Sequence, residues 1–298
     1  MKLGVLSDIH SNIYAFRACT AYLEQQNCDE YLFLGDYISD TPYARKSLDF
    51  LYDFTSRHTC HLLRGNREEY MLAQQEAQEK KLTEEMWIKN SASGNLLYTY
   101  EQLVDKDLDF FRNLPITFLY EKTGYPAITC CHGSPASSRE LLELDEEPVK
   151  RWLETIDTDY LLCAHTHYPG ELRYQNRHYF NSGCAGIAIG DAGLAQCMVL
   201  QSEEEKGKVV WKPQFLKIPY DNHKVAEDMK SGGLLDYAPW FTNSNLYNIL
   251  TGTDHSAQMA ALAGKLAAEE NPQAKWPLIE EKYFELAAEY YGIPDYRK

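Results

Sequence analysis

The chain has 298 residues, 44% of them hydrophobic and 24% charged, which is ample for a sizeable core and unlike a disordered chain. Its formal net charge of −15 repels long nucleic acid and excludes a protein that coats DNA. Small phosphorylated substrates stay open, because bound divalent cations reverse the charge locally.

Met1-Lys2 leads into the short apolar run Leu3 to Leu6 and at once into Ser7-Asp8. That run is too short for the core of a signal peptide, so the cytoplasm is the expected compartment. No run of about 18 apolar residues occurs, and no membrane-spanning helix is expected. Eight cysteines without a C-x-x-C pair argue against a disulfide framework or a cysteine zinc site. Cys130, Cys131 and Cys163 sit in apolar runs and read as core residues.

In chain order, residues 2–6 read as a buried strand. Residues 12–26 read as a helix, with Ile13, Phe16, Ala18, Tyr22 and Leu23 at helical spacing and Ser11 or Asn12 as N-cap. A strand over 31–34, a helix over 43–56 and a strand over 59–63 follow, the alternation of a parallel α/β sheet. Residues 67–113 read as a polar, helical insertion. Strands are then expected over 116–120, 125–131, 160–163, 171–174, 179–181, 195–201 and 209–218, with a helix over 148–155. Their short connections suggest a second, largely antiparallel sheet. From residue 221 to the end the pattern is helical, broken at Gly232-Gly233. A last helix is expected to start at Pro277 and end before Gly292, with Leu278, Phe284, Leu286 and Ala287 on its apolar face. The expected organisation is a main domain over 1–220 with an insertion over about 67–113, and a helical extension over 221–298 packed on it.

Polar residues gather at the expected strand ends: Asp8-Ile9-His10, Gly35-Asp36, Gly65-Asn66, Cys131-His132-Gly133 and Ala164-His165-Thr166-His167. Ligands bind beyond the carboxyl ends of strands in open α/β sheets. In D-x-H and H-x-H on an extended chain, the outer side chains share a face. Carboxylate, amide oxygen and imidazole suit manganese, iron or zinc, and seven donors exceed the needs of one ion. Two ions about 3.5–4 Å apart clamp a phosphoryl group and lower the pKa of a shared water.

The blocks Ser7-Asp8-Ile9-His10-Ser11-Asn12, Gly35-Asp36, Gly65-Asn66-Arg67-Glu68, His132-Gly133 and His165-Thr166-His167 resemble the calcineurin-like metallophosphoesterases, in order and rough spacing over residues 1–200. The resemblance implies an α/β fold of two mixed β-sheets packed as a sandwich, with helices on both outer faces and here a C-terminal helical extension. It also implies roles. Asp8, His10 and His167 hold one metal; Asn66, His132 and His165 hold the other; Asp36 bridges them. Asn181-Ser182-Gly183 resembles a structural Asn-Pro-Gly-Ser turn of bacterial members. Many relatives carry His where this chain has Arg67, and Arg grips a phosphate oxygen but is a poor proton donor. The layout after residue 220 resembles a bacterial branch that includes asymmetric diadenosine tetraphosphate hydrolases.

The expected activity is therefore hydrolysis of a small phosphodiester or nucleotide polyphosphate, such as a dinucleoside polyphosphate, by a hydroxide bridging the two ions. Asp36, His132 and Arg67 are the expected catalytic residues, and Asn12 and Arg67 the expected substrate contacts. Asn12 has a rival role as a helix cap. Glu68 either orients a neighbour or begins a helix. Trp87, Tyr98 and Tyr100 either stack a base or pack the insertion. His58 and His61, flanking the third strand, face opposite sides and read as structural. Two other readings remain: a non-catalytic phosphate-binding scaffold, and a nuclease on short nucleic acids. The oligomeric state is not legible.

Overall fold

The computed structural model describes residues 1–144 and 146–298. The chain starts with β1 (Lys2–Leu6), α1 (Ile13–Gln25), β2 (Glu30–Phe33), α2 (Ala44–Arg57) and β3 (Cys60–Leu62). These three strands are parallel neighbours. β4 (Thr117–Tyr120), β5 (Ile128–Cys131), β6 (Tyr160–Cys163), β7 (Gly170–Tyr174) and β8 (Arg177–Asn181) form a second sheet in the order β4-β5-β6-β8-β7. The long hairpin of β9 (Leu194–Glu205) and β10 (Lys208–Pro219) returns to the first sheet, giving the order β10-β9-β1-β2-β3.

The second sheet is mixed rather than largely antiparallel. Its centre, β5-β6-β8, is parallel, and only the edge strands β4 and β7 run the other way. Short links in the sequence suggested hairpins. However, α6 (Glu147–Thr155) crosses between β5 and β6, and β7 is inserted between β6 and its parallel neighbour β8. The antiparallel β9–β10 pair was expected here but extends the first sheet instead.

Period-two alternation sorts the side chains into layers. Leu3, Val5 and Leu32 of the first sheet meet Ile128, Leu162 and Phe180 of the second, with Trp211 closing one end. On the opposite face of the first sheet, Tyr31, Phe33 and Val199 pack on Phe16, Leu48, Leu51 and Phe54 of α1 and α2. On the outer face of the second sheet, Leu161, Cys163 and Tyr179 pack on Val149 and Leu153 of α6. Cys130, Cys131 and Cys163 are all fully buried in these layers.

The insertion folds as α3 (Asn66–Glu79), α4 (Gly94–Tyr100) and α5 (Asp105–Asn113). After β10 come α7 (Asn222–Ser231), α8 (Leu234–Tyr237), α9 (Pro239–Thr251), α10 (Ser256–Glu270) and α11 (Glu281–Tyr290). The last helix starts at Glu281, four residues later than Pro277 suggests. Its buried face is Tyr283, Phe284, Ala287 and Ala288, whereas Leu278 and Leu286 are exposed. Among the described residues, no helix is long and apolar enough to cross a membrane.

α9 carries a buried polar face that no amphipathic pattern announces: Thr242, Asn243, Ser244, Asn245 and Asn248 are at most 1% exposed. Asn248 Nδ2 donates to Ile187 O at 3.2 Å, and Asn245 Nδ2 reaches Asp40 Oδ1 at 3.5 Å. The C-terminal helices are thereby tied to the carboxyl edge of the sheets.

Leu162, fully buried between the sheets, is the test of this packing. Leu162→Ala should lower unfolding stability by about 2–5 kcal/mol, read as a lower denaturant midpoint at unchanged slope. A loss under about 1 kcal/mol would contradict a tight inter-sheet layer.

Candidate metal centre

The parallel strands of both sheets deliver their carboxyl-end loops to one edge, and the expected residues meet there. Asp8, His10, Asp36 and His132 are at most 1% exposed, and Asn66 is 5% exposed. Asp8 Oδ1 lies 3.3 Å from His167 Nε2 and 3.8 Å from His10 Nε2. His10 Nε2 and His167 Nε2 are 3.1 Å apart. Asp36 Oδ2 lies 3.5 Å from His132 Nε2 and 4.0 Å from His10 Nε2, between the two sides. Asn66 Oδ1 is 3.0 Å from His132 Nε2, and His165 joins Asp36 and His132 in one donor group.

The common aim of these side chains does not come from strand alternation. β1 ends at Leu6 and β6 at Cys163, so the D-x-H and H-x-H pairs lie in loops. Asp8, His10, Asp36, His165 and His167 all have positive φ, from 48° to 68°. Such left-handed backbone costs a non-glycine residue about 1–2 kcal/mol and persists only where the surroundings enforce it. Backbone bonds do so here: Asp8 N–H to Gly35 O at 3.1 Å, His10 N–H to Asp36 O at 3.0 Å and Ala164 N–H to His132 O at 2.8 Å. At Gly65 a Cβ would sit 2.1 Å from Asp36 Oδ1, so only glycine lets the carboxylate lie there.

Glu68 serves both of its readings, standing in the first turn of α3, where it caps the helix start at Gly65, and clamping the Asp36 loop. Its carboxylate accepts the backbone N–H groups of Asp36 and Tyr37, each at 2.9 Å, and of Gly65 at 2.8 Å. Burial and the Asp36 charge push its pKa up to about 7. Ser182 Oγ is 2.8 Å from Ser7 Oγ, and Asn181 Nδ2 donates to Ala164 O at 2.7 Å. The 181–183 turn thus fastens the ends of β1, β6 and β8.

Asn12 takes the cap role. It is fully buried, its Oδ1 accepts from Ala15 N–H at 3.2 Å, and its Nδ2 donates to Gly186 O at 2.7 Å. Trp87 packs edge-on to Tyr100 and Trp276, and Tyr98 packs on Tyr237. All three expected stacking candidates are used in packing. His58 bonds Glu24 from the end of α2, outside the strand, and His61 bonds Glu30.

Sequence reasoning missed three residues, Asp40, Cys184 and Asn245. His10 Nδ1 lies 2.7 Å from Asp40 Oδ2, a contact too bent for a well-formed hydrogen bond but close enough to hold the ring. Arg67 Nη2 lies 3.1 Å from the same oxygen. Cys184 donates its thiol to Asp8 O at 3.1 Å and sits beside His10 and His167. Asn245 approaches Asp40 from α9. None lies in a strand-end motif, and Asn245 comes from more than 200 positions away.

The donor set fits a cation. His132 Nδ1 is 2.7 Å from Leu34 O, so Nδ1 carries a proton and Nε2 turns its other side to the Asn66 oxygen. Two lone pairs 3.0 Å apart need a positive charge between them, either a proton or a metal ion. The electrostatics of the side chains point the same way. Burial opposes charge on His132, yet Asp36 and Asp8 lift its pKa to about 9. Burial likewise opposes ionisation of Asp8, but His167, His132 and His10 hold its carboxyl below the ordinary range. His165 is pushed the other way, down to about 4, by burial and by His132, so its lone pair is free near neutral pH. Asp8 Oδ1 is buried without a hydrogen-bond partner, a costly state unless a cation fills it. Donor spacings near 3 Å are those of ligands sharing one ion at about 2.0–2.2 Å.

Residues 1–169 match the model of a protein family described as calcineurin-like phosphoesterase. The chain belongs to that family. All seven converging residues fall inside the matched span. Among solved structures, a hypothetical protein from Pyrococcus horikoshii OT3 is similar, with a TM-score of 0.70 and 18% identity over 85% of this chain and 99% of that one. A metallophosphoesterase from Sphaerobacter thermophilus superposes with a TM-score of 0.63 and 17% identity, covering 85% of this chain and 100% of that one. At such identities the likeness is one of fold. No curated protein matches the chain significantly. Membership in the calcineurin-like family and the buried Asp/His cluster together support a metal-dependent phosphoesterase.

Asp40 gives the test of the surrounding shell. Asp40→Asn should lower manganese affinity about 10–100-fold in calorimetric titration, with an unchanged circular dichroism spectrum. Unchanged affinity would show that Asp40 does not orient His10.

Proposed function

We propose that this chain is a dinuclear metal-dependent phosphoesterase acting on a small phosphodiester or nucleotide polyphosphate. The observation that carries the reading is the division of the donors. Asp8, His10 and His167 cluster on one side and Asn66, His132 and His165 on the other; Asp8 Oδ1 also comes within 3.9 Å of His132 Nε2, but Asp36 is the carboxylate grouped both with Asp8 and His10 and with His132 and His165, its Oδ2 within 4.0 Å of an imidazole from each side. This division supports one ion in each half with Asp36 shared. Imidazole, carboxylate and amide oxygen suit manganese, iron or zinc. Bound ions would supply Lewis acidity toward phosphoryl oxygens and a water of lowered pKa.

The remaining work falls to the chain itself. Glu68 holds the Asp36 backbone, and the Leu34 carbonyl fixes the His132 tautomer. Arg67 is tethered to Asp40, while its Nε is buried without a hydrogen-bond partner and lies 3.8 Å from Asp36 Oδ2. The side chain as a whole is 20% exposed, which leaves part of it open to a phosphoryl oxygen beside the cage. Burial opposes the guanidinium charge, but Asp40 and Asp36 raise its pKa further. Arg67 therefore neutralises charge without donating a proton. This favours substrates whose leaving group departs unprotonated, such as a phosphoanhydride. The net charge of −15 disfavours long nucleic acid.

The test is hydrolysis of bis-p-nitrophenyl phosphate with manganese, with chelator, and with two variants. Wild type should turn over only with metal. Asp36→Asn should fall to the chelated background while remaining folded. Arg67→Ala should lose about 100-fold in kcat/KM, the usual scale for one lost donor to developing charge. Near-normal turnover of Asp36→Asn would overturn the proposal.

A further inference from the structure

A cavity of about 510 Å3 opens between the insertion and the C-terminal helices. Its size is in the usual range for a small-molecule site. Arg67 and Asn95 line one part; Tyr70, Arg139, Phe241 and Trp276 line much of the rest. We propose that this cavity holds the organic part of the phosphoryl substrate, and that this part is a flat aromatic ring system such as a nucleobase. The inference rests on the phosphoesterase reading for the chemistry beside Arg67.

Two guanidiniums on the cavity wall point to an acceptor-bearing ligand. The Arg67 side chain is 20% exposed and that of Arg139 56% exposed, and a guanidinium pairs with phosphate or carbonyl oxygens in a fork. Arg67 shares the lining of the cavity with Asn95. Both residues are anchored to Asp40, which bonds Asn95 Oδ1 through its backbone N–H at 3.0 Å and meets Arg67 Nη2 at 3.1 Å. Asp40 in turn touches His10. The polar end of the cavity is thus next to the metal cage, where the phosphoryl group belongs.

The aromatic walls set the other half of the ligand. Trp276 is 47% exposed, yet its indole is pinned by Nε1–H donating to Ala92 O at 2.8 Å and by edge contact with Trp87. A large, exposed and immobilised ring is a preorganised stacking face. Phe241 is half-buried on α9, and Tyr70 carries the Arg139 guanidinium 4.7 Å from its ring centroid. Arg139 offers a second positive group for a phosphate. An alkyl phosphate would satisfy the donors but leave this aromatic surface unused.

The experiment compares two diesters with one leaving group, thymidine 5′-(p-nitrophenyl phosphate) and methyl p-nitrophenyl phosphate, on the manganese-loaded protein. Wild type should favour the thymidine ester in kcat/KM by about tenfold or more, the scale of one stacked base. Phe241→Ala and Trp276→Ala should bring that ratio toward one, mainly through KM, and Trp276→Phe should restore most of it. Equal kcat/KM for both esters in wild type, or a ratio unmoved by both alanine variants, would overturn the proposal. Calorimetric binding of thymidine 5′-monophosphate against inorganic phosphate separates the two readings. If neither ester is hydrolysed but the nucleotide binds at least about tenfold tighter and Phe241→Ala removes that margin, the cavity assignment stands and the catalytic reading falls. If neither is hydrolysed and the nucleotide binds no tighter than phosphate, both fall.

Discussion

Asp8, Asp36 and Asp40 are carboxylates buried together at one edge of two sheets. Removing such charges from water costs several kcal/mol each unless they are paired, and among the described residues Arg67 is the one guanidinium within 4 Å of them. The imbalance explains the neighbourhood. Three imidazoles crowd Asp8, and Asp8 Oδ1 still lacks a hydrogen-bond donor. A site arranged in this way is balanced by cations, and the left-handed loops, close glycines and backbone clamps around it are the structural cost of keeping the donors aimed inward.

The sandwich supplies the rigid part. Parallel strands from both sheets end at the same edge, so loops from five places in the chain meet there without any of them being long. α9 then closes one side with a polar face, bringing Asn245 to Asp40 and Phe241 to the adjoining cavity. The C-terminal helices therefore bear on the site both through the carboxylate that steadies His10 and through a wall of the adjoining cavity. A change in α9 is felt at His10 by a short path of contacts: Asn245, Asp40, His10.

Much of this was legible in the residues. The strands showed as short apolar runs ending in polar pairs, and Asp8, His10, Asp36, Asn66, His132, His165 and His167 were marked by their position at those ends. The reason for their convergence was not legible. Alternation along a strand suggested it, while the structure achieves it with left-handed loop residues, a conformation that Asp and His do not announce. Asp40 looks like any residue of a Ser-Asp-Thr-Pro turn, and Asn245 like any polar residue of a surface helix; only tertiary contact gives them a role. Asn12 and Glu68 each carried two readings because capping and ligand orientation use the same atoms. The division of strands between sheets was misjudged for a related reason: short links suggest hairpins, and pairing partners far apart in the chain leave no local trace.

The central claim is that the buried donors hold two cations sharing Asp36. Electron paramagnetic resonance of the manganese-loaded protein, with elemental analysis of the same sample, tests it most directly. The account predicts two manganese ions per chain and an exchange-coupled spectrum that collapses to that of isolated ions in Asp36→Ala. One ion per chain, or two with the spectrum of uncoupled ions in the wild type, would contradict it.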